Sequence, residues 1–284
     1  MSKKVTKIGV LTSGGDAPGM NAAIRAVVRT GLYHNMEVFG IMRGYQGMID
    51  DDIVPMHSRS VANIIQRGGT ILKTARSKDF FEPAGRKKAF DNLKKHGIDG
   101  LVIIGGDGSF RGAMTIAQHY RGQLIGVPGT IDNDVDGTDF TIGFATAIDT
   151  ALDAIDKIRD TADAFERIFL VELMGRHSGY IALSAGIAAG AEQIICPEFG
   201  PVTKAQLARL LAPIQHAQML RGKSSYIMVV AENSYPGGTT ALAEELSAEL
   251  GTECRACILG HIQRGGKPVG ADRILATKLG AYAV

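Results

Sequence analysis

Two carboxylates, a hydroxyl and an amide fall within seven consecutive residues, Pro128-Gly129-Thr130-Ile131-Asp132-Asn133-Asp134. They follow a short apolar run, Leu124-Ile125-Gly126-Val127, which reads as a buried strand. The pattern therefore predicts a loop that carries this chemistry at a strand's C-terminal end. In an open parallel sheet, ligands bind in the crevice outside those ends. Carboxylates crowded together there repel one another unless a cation or a proton relieves them. A magnesium-dependent transfer reaction has a use for that arrangement.

Two further glycine-bearing loops repeat the setting, Gly14-Gly15-Asp16 and Gly105-Gly106-Asp107-Gly108-Ser109, each between a predicted strand and a predicted helix. Glycine lets a backbone approach a phosphate closely, and a helix N-terminus presents N–H groups at the positive end of its dipole. With the loop after Pro128, they imply a polyphosphate lying across a sheet edge, although glycine at any one such turn also serves geometry alone. None is a Walker sequence, and Gly-x-Gly-x-x-Gly is missing after the first strand, which disfavours a P-loop NTPase or a dinucleotide dehydrogenase. Asp107 adds a carboxylate to the edge of Asp132 and Asp134, and magnesium is typically held by one or two carboxylates plus substrate phosphates.

Cationic residues complete the set. Arg76 follows Arg67-Gly68-Gly69-Thr70, Arg176 sits in Met174-Gly175-Arg176, and Arg255, His261 and Arg264 fall around one predicted strand-turn. Arginine forks match phosphate oxygens bidentately, so the last three together suit a terminal phosphate.

The elements that must position these residues alternate. Residues 7–12, 38–42, 101–104, 168–173, 193–196 and 226–231 read as strands. Residues 21–32, 144–161 and 272–284 carry apolar side chains at helical spacing, 86–96 read as a basic helix stopped by Gly97, and 180–189 and 241–250 read as further helices. Strands alternating with helices predict an α/β fold of two doubly wound, mostly parallel sheets. The expected domains are 1–142 plus 256–284, which bind the nucleotide, and 143–255, which bind the sugar. The last helix stops without a glycine, a basic last turn or a polar tail, as expected of a truncated C-terminal end.

Composition bounds the rest. The chain has 284 residues, 45% of them apolar and 21% charged, with a formal charge of +2, so neither nucleic acid nor a membrane surface is an expected partner. No apolar run approaches the roughly 20 residues of a membrane helix, and the N-terminus leads straight into a strand, so the expected location is cytoplasmic. Cys254 and Cys257 have CxxC spacing, but no second pair lies at zinc spacing, and a structural reading is preferred over metal or redox chemistry.

Taken together, residues 12–23, 105–109, 128–134, 174–176 and 259–266 make the chain resemble the bacterial ATP-dependent 6-phosphofructokinases. The resemblance runs in the family's order over essentially the whole chain. It implies magnesium-dependent transfer of the ATP γ-phosphoryl to the 1-hydroxyl of fructose 6-phosphate, in glycolysis, giving fructose 1,6-bisphosphate and ADP. By matching positions it makes Asp132 the general base, puts Thr130 at the reacting groups, and has Arg176 neutralise charge on the transferred phosphoryl. Asp107 and Asp134 would hold magnesium. Gly15, Arg76, Ser77, Gly106, Asp107, Gly108 and Ser109 would line the ATP site. Ile131, Met174, Gly175, Glu232, Ile262 and Gln263 would join the sugar site, with Arg167, Arg255, His261 and Arg264 around the 6-phosphate. In the family the arginines matching Arg167 and Arg255 come from a neighbouring subunit of a homotetramer.

Pyrophosphate-dependent relatives carry aspartate and lysine where Gly108 and Gly129 stand, so glycine at both implies ATP as the donor. The resemblance also implies an effector site for ADP or phosphoenolpyruvate at Arg25, Arg29, Ser58, Arg59, Arg159, Gly190, Glu192, Arg221 and Lys223. There the chain departs from the family, with Ser58 at a position commonly held by arginine and Arg59 one residue later. A further strand and helix beyond the last predicted helix would complete the smaller domain. Two other readings compete. Gly-Gly-Asp-Gly also occurs in NAD and lipid kinases, against which stand the Asp132 loop and the His261–Arg264 cluster, and an idle nucleotide or sugar-phosphate sensor would bind without turnover.

Overall fold

The computed structural model describes residues 5–200, 202, 204–221 and 225–284. They divide into two units. The first comprises residues up to Thr146 and Arg264–Val284, and the second runs Ala147–Gln263.

In the first unit, β1 (Lys7–Thr12), β2 (Glu37–Ile41), β3 (Ile53–Pro55), β4 (Gly100–Gly105), β5 (Gln123–Thr130) and β6 (Ile142–Gly143) form one sheet in the order β3-β2-β1-β4-β5-β6. All pairs are parallel except β2 with β3. The helices are α1 (Met20–Tyr33), α2 (Gly44–Ile49), α3 (Pro83–His96), α4 (Asp107–Ala117), the start of α5 (Phe144–Phe165), and α9 (Gly270–Tyr282). One buried cluster packs Leu11, Ile41, Leu101 and Ile103 of the strands against Met48, Phe80, Leu93 and Ile116.

The second unit holds β7 (Ile168–Leu173), β8 (Gln193–Ile195), β9 (Tyr226–Ala231) and β10 (Cys254–Ile258), all parallel, in the order β10-β7-β9-β8. Its helices are the rest of α5, α6 (Tyr180–Ala188), α7 (Lys204–Arg221) and α8 (Gly238–Leu250). Leu207, Ile214, Leu242 and Leu246 pack on Leu170, Met228 and Val230. β9 is buried along its whole length, which is why it reads as an unbroken apolar run.

Both sheets are as predicted, with three local differences. The expected return to the first domain at 256 falls inside β10, whose residues are hydrogen-bonded to β7, and the second unit continues to Gln263. The expected boundary at 142 moves to 146, because Asp272 of α9 holds the first turn of α5 to the first unit. Its carboxylate accepts N–H bonds from Gly143 (2.9 Å) and Thr146 (2.8 Å) and the Thr146 hydroxyl (2.5 Å). Third, β5 is not fully buried: Ile125 is 42% exposed, because β6 pairs only with Gly129 and Thr130. Pro128, Gly129 and Thr130 are strand residues, so the loop proper begins at Ile131.

Candidate active site

Parallel pairing decides what meets at the edge of the first sheet. Thr12 stands beside Ile104 and Gly105 beside Pro128, so the chain segments leaving β1, β4 and β5 emerge side by side. Ser13 N–H donates to the Ile104 carbonyl at 3.0 Å, and a Cβ on Gly106 would lie 3.5 Å from that of Thr130. The predicted convergence of Gly15, Gly106, Ser109, Thr130 and Asp132 on one edge is what the structure contains.

The Asp132 loop is fixed by its neighbours. Asn133 takes a left-handed conformation (φ 51°), which Asn tolerates better than most residues, and its Oδ1 accepts Thr141 N–H at 2.8 Å. The Thr141 hydroxyl donates to the Thr130 carbonyl at 2.7 Å, and Asp132 N–H donates to Thr130 Oγ1 at 3.2 Å. Thr130, Ile131 and Asp132 are consequently buried, with Asp132 only 7% exposed. Asp134 is exposed two residues on. Asn133 and Thr141 were not anticipated from the sequence, where the only signal was an amide between two carboxylates.

Asp107 occupies the first turn of α4 and forms an ion pair with Arg111 at 2.9 Å. Gly108 beside it has open space, since a Cβ there would meet nothing within 4 Å. At Gly129, by contrast, a Cβ would lie 2.9 Å from the Ile104 side chain, so a larger residue there needs Ile104 to shift. Of the two glycines that bear on the donor, only Gly108 is without a structural reason. One carboxylate beside open space at a helix N-terminus fits an ion that also takes phosphate oxygens, with Arg111 as the group it would displace. Among the described residues no three His, Cys, Asp or Glu side chains form a metal cluster.

The remaining nucleotide-edge residues are tied in by contacts the sequence did not announce. Asn21, buried on α1, donates to the Arg67 and Gly68 carbonyls (3.1 Å each) and accepts Ile71 N–H at 2.8 Å. Thr74 Oγ1 donates to the Gly14 carbonyl at 2.7 Å. These bonds hold the segment leading to Arg76, which is exposed, and Ser77, whose hydroxyl donates to Gln46 Oε1 at 2.7 Å. Tyr45 O–H donates to the Ser109 carbonyl while its ring stacks on Phe80 at 4.4 Å, and burial raises its phenol well above the ordinary range. Arg264 Nη1 donates to the Asp16 carbonyl at 3.3 Å, and a Cβ on Gly15 would lie 2.6 Å from that nitrogen.

In the second unit the C-terminal strand ends carry Met174, Gly175 and Arg176 after β7, Glu232 after β9, and Gly260, His261, Ile262 and Gln263 after β10. Glu232 Oε1 accepts the N–H groups of Gly175 (3.1 Å) and Arg176 (2.6 Å). Arg176 is exposed and left-handed (φ 58°), with its carbonyl accepting Asn233 Nδ2–H at 3.1 Å. Gln263 is fully buried, and its Oε1 accepts Met174 N–H at 2.8 Å. Its Nε2 has no hydrogen-bond partner among the described residues, a donor that an incoming oxygen would satisfy. His261 and Ile262 are exposed on the same turn.

Arg167 and Arg255 lie elsewhere. Arg167 precedes β7 and Arg255 is the second residue of β10, so both stand at the N-terminal edge of this sheet. The six residues of β7, at about 3.3 Å each, separate that edge from Arg176 by roughly 20 Å. The expected grouping of Arg255 with His261 around one strand-turn is therefore corrected within one chain, because β10 extends back to Cys254. Cys254 and Cys257, three apart on that strand, point to opposite faces, and burial raises both thiols.

Of the effector set, Arg159, Gly190 and Glu192 do meet. Arg159 Nη2 donates to the Ala189 (2.9 Å) and Gly190 (3.2 Å) carbonyls, and Nη1 lies 3.5 Å from Glu192 Oε1. Arg25 and Arg29 lie one turn apart on α1, and Ser58 and Arg59 are exposed in a turn after β3. Lys223 lies outside the described residues, as does the side chain of Arg221.

A family model described as Phosphofructokinase matches residues 7–284. The chain is 58% identical over 278 residues to ATP-dependent 6-phosphofructokinase 1 of Thermus thermophilus, covering 98% of this chain and 85% of that protein. It is 55% identical to the ATP-dependent 6-phosphofructokinase of Shouchella clausii, with 98% of this chain and 85% of that one covered. Among solved structures, the phosphofructokinase from Saccharomyces cerevisiae superposes with a TM-score of 0.90 at 38% identity. That match covers 98% of this chain, which spans 41% of the yeast chain's length.

Proposed function

The chain belongs to the phosphofructokinase family, and from that premise we propose that it transfers the γ-phosphoryl of ATP to the 1-hydroxyl of fructose 6-phosphate, giving fructose 1,6-bisphosphate and ADP as a step of glycolysis. The observation that carries this reading is the C-terminal edge of the first sheet. A buried aspartate sits there beside a helix N-terminus whose first turn has open space at a glycine with no packing reason to be one.

The residues divide the work as phosphoryl transfer requires, by positioning and charge neutralisation more than by covalent help. Asp132, held by Thr130, Asn133 and Thr141, takes the proton from the attacking hydroxyl. The N-terminus of α4, with Gly106, Gly108 and Ser109, receives the nucleotide phosphates, and Gly15, Arg76 and Ser77 line the rest of its site. Asp107 would hold magnesium with Asp134 nearby, and the ion, when bound, neutralises phosphate charge. Arg176, its backbone set by Glu232, stabilises negative charge on the group in transfer. His261 and Arg264 serve the 6-phosphate of the sugar. Arg167 and Arg255, facing the other edge of their own sheet, serve that of a neighbouring subunit, which makes the homotetramer part of the active site. Arg159, Gly190 and Glu192 belong to an effector site for ADP or phosphoenolpyruvate, shared with Arg25, Arg29 and the Ser58-Arg59 turn. Among the described residues no helix is long and apolar enough to cross a membrane, and the proposed location is the cytoplasm.

A coupled assay for fructose 1,6-bisphosphate, run with ATP and then pyrophosphate as donor, tests this. Turnover is expected with ATP and magnesium and not with pyrophosphate. Product formed only from pyrophosphate would overturn the donor, and binding of both substrates without product would overturn the enzyme.

A further inference from the structure

The two arginines at the N-terminal edge of the second sheet share one carboxylate. Cys254 pairs with Ile168, so Glu253 and Arg167, one residue earlier on each strand, stand opposite one another. Arg255, two residues after Glu253, projects to the same face of β10. Glu253 Oε2 lies 2.9 Å from Arg167 Nε, while Oε1 lies 2.8 Å from Arg255 Nε and 2.7 Å from its Nη2. Each carboxylate oxygen thus serves one guanidinium. The Arg167 guanidinium also lies over the Phe165 ring, 4.6 Å from its centre.

We propose that Glu253 is a positioning residue, which holds Arg167 and Arg255 by their Nε edges so that their outward N–H groups are set, as a pair, for a phosphate dianion. The inference rests on the reading that these two arginines serve the 6-phosphate of the sugar. An arginine carries five N–H donors in a rigid fork, and a contact at Nε fixes the plane of that fork without consuming its far corner. Two cations with one carboxylate between them keep a net positive charge toward a dianion, and the carboxylate removes the mutual repulsion of placing them together. The side chains of both arginines are long and rotamer-rich, so ordering them beforehand reduces what the ligand must spend on ordering them itself. Hydrogen bonding from Arg255, followed by the charges of Arg167 and Arg255, keeps the Glu253 carboxyl below its usual range, so it is ionised at neutral pH.

The test compares Glu253→Gln, Glu253→Asp, Arg167→Ala, Arg255→Ala and the Glu253→Gln, Arg255→Ala double variant, all as full-length chains in steady-state assays. Glu253→Gln is expected to raise the KM for fructose 6-phosphate about tenfold, within the range of coupling between contacting residues. The kcat, the KM for ATP and the melting temperature stay near wild type. Glu253→Asp recovers part of the loss, and in the Arg255→Ala background Glu253→Gln adds less than its full tenfold effect, because only the Arg167 contact is left for it to remove. A fructose 6-phosphate KM that is unchanged or lowered in Glu253→Gln, while either arginine variant raises it, overturns the role of Glu253 and leaves the function intact. If neither arginine variant raises that KM, the assignment of the arginines fails, and the role of Glu253 falls with it.

Discussion

The two sheets handle their charged residues in opposite ways. The first gathers its candidate site residues at one edge: Gly15, Asp107, Ser109, Thr130 and Asp132 all follow the C-terminal ends of β1, β4 and β5. The second divides its set, with Arg176, Glu232 and His261 at the C-terminal strand ends and Arg167, Glu253 and Arg255 at the N-terminal ends. A two-edge arrangement sets two groups of charged side chains roughly 20 Å apart on one sheet, which fits the proposal that the second group serves a neighbouring subunit.

The most severe way to break this contrast is at the first edge. Asp132→Ser is expected to lower kcat by about 10³-fold, within the range attributed to general bases, while calorimetry still detects nucleotide binding. Near-normal turnover would remove Asp132 from the role of base. On the second sheet the two edges should separate kinetically. Arg176→Ala is expected to lower kcat about 10²-fold or more, as for an arginine felt mainly in the transition state. Arg255→Ala should act on the KM for fructose 6-phosphate, and equal effects of both variants on kcat would collapse the two-edge distinction.

The stability of the first edge has its own anchor. Asp272→Ala leaves the Gly143 and Thr146 donors buried without their acceptor and is expected to cost about 2 kcal/mol, read from denaturant unfolding. Burial raises the Asp272 carboxyl above its ordinary value in the folded chain. The stabilisation arising from that shift is full below the unfolded value of 3.8 and lost as pH rises through the folded one. The pH dependence of the difference between wild type and variant should fall in that direction. The mildest test concerns the donor. Gly108→Asp meets no packing obstacle and should raise the KM for ATP about tenfold by like-charge repulsion of the phosphates, with no change in melting temperature.

Much of this was legible before folding was considered, and the reason is physical. β7 and β9 are flanked on both sides by other strands, so largely apolar runs, unbroken in β9 and interrupted by Glu172 in β7, marked them with the bounds observed. The edge loops were legible because glycine, aspartate and threonine at a strand's end have few purely structural reasons to occur together. The short elements β3 and α2 went unseen, since three to six residues carry too little periodicity to register. Glu232, expected to contact the sugar, also engages two backbone N–H groups, both through Oε1, a structural duty with no sign in the sequence. Asp272 looked like an ordinary residue at the start of a helix, and it caps a different one.

What the sequence determined by itself is the inventory: an alternating fold, three phosphate-suited turns, two carboxylates in one of them, and arginines enough for two anions. Only the tertiary structure decided which side chains share an edge. Strand register is set by long-range pairing, and a strand of six residues reverses the address of a side chain according to which end it stands on. That is why Arg255 and His261, six positions apart in the chain, stand at opposite edges of one sheet, while Arg167 and Glu253, far apart in the chain, form one contact.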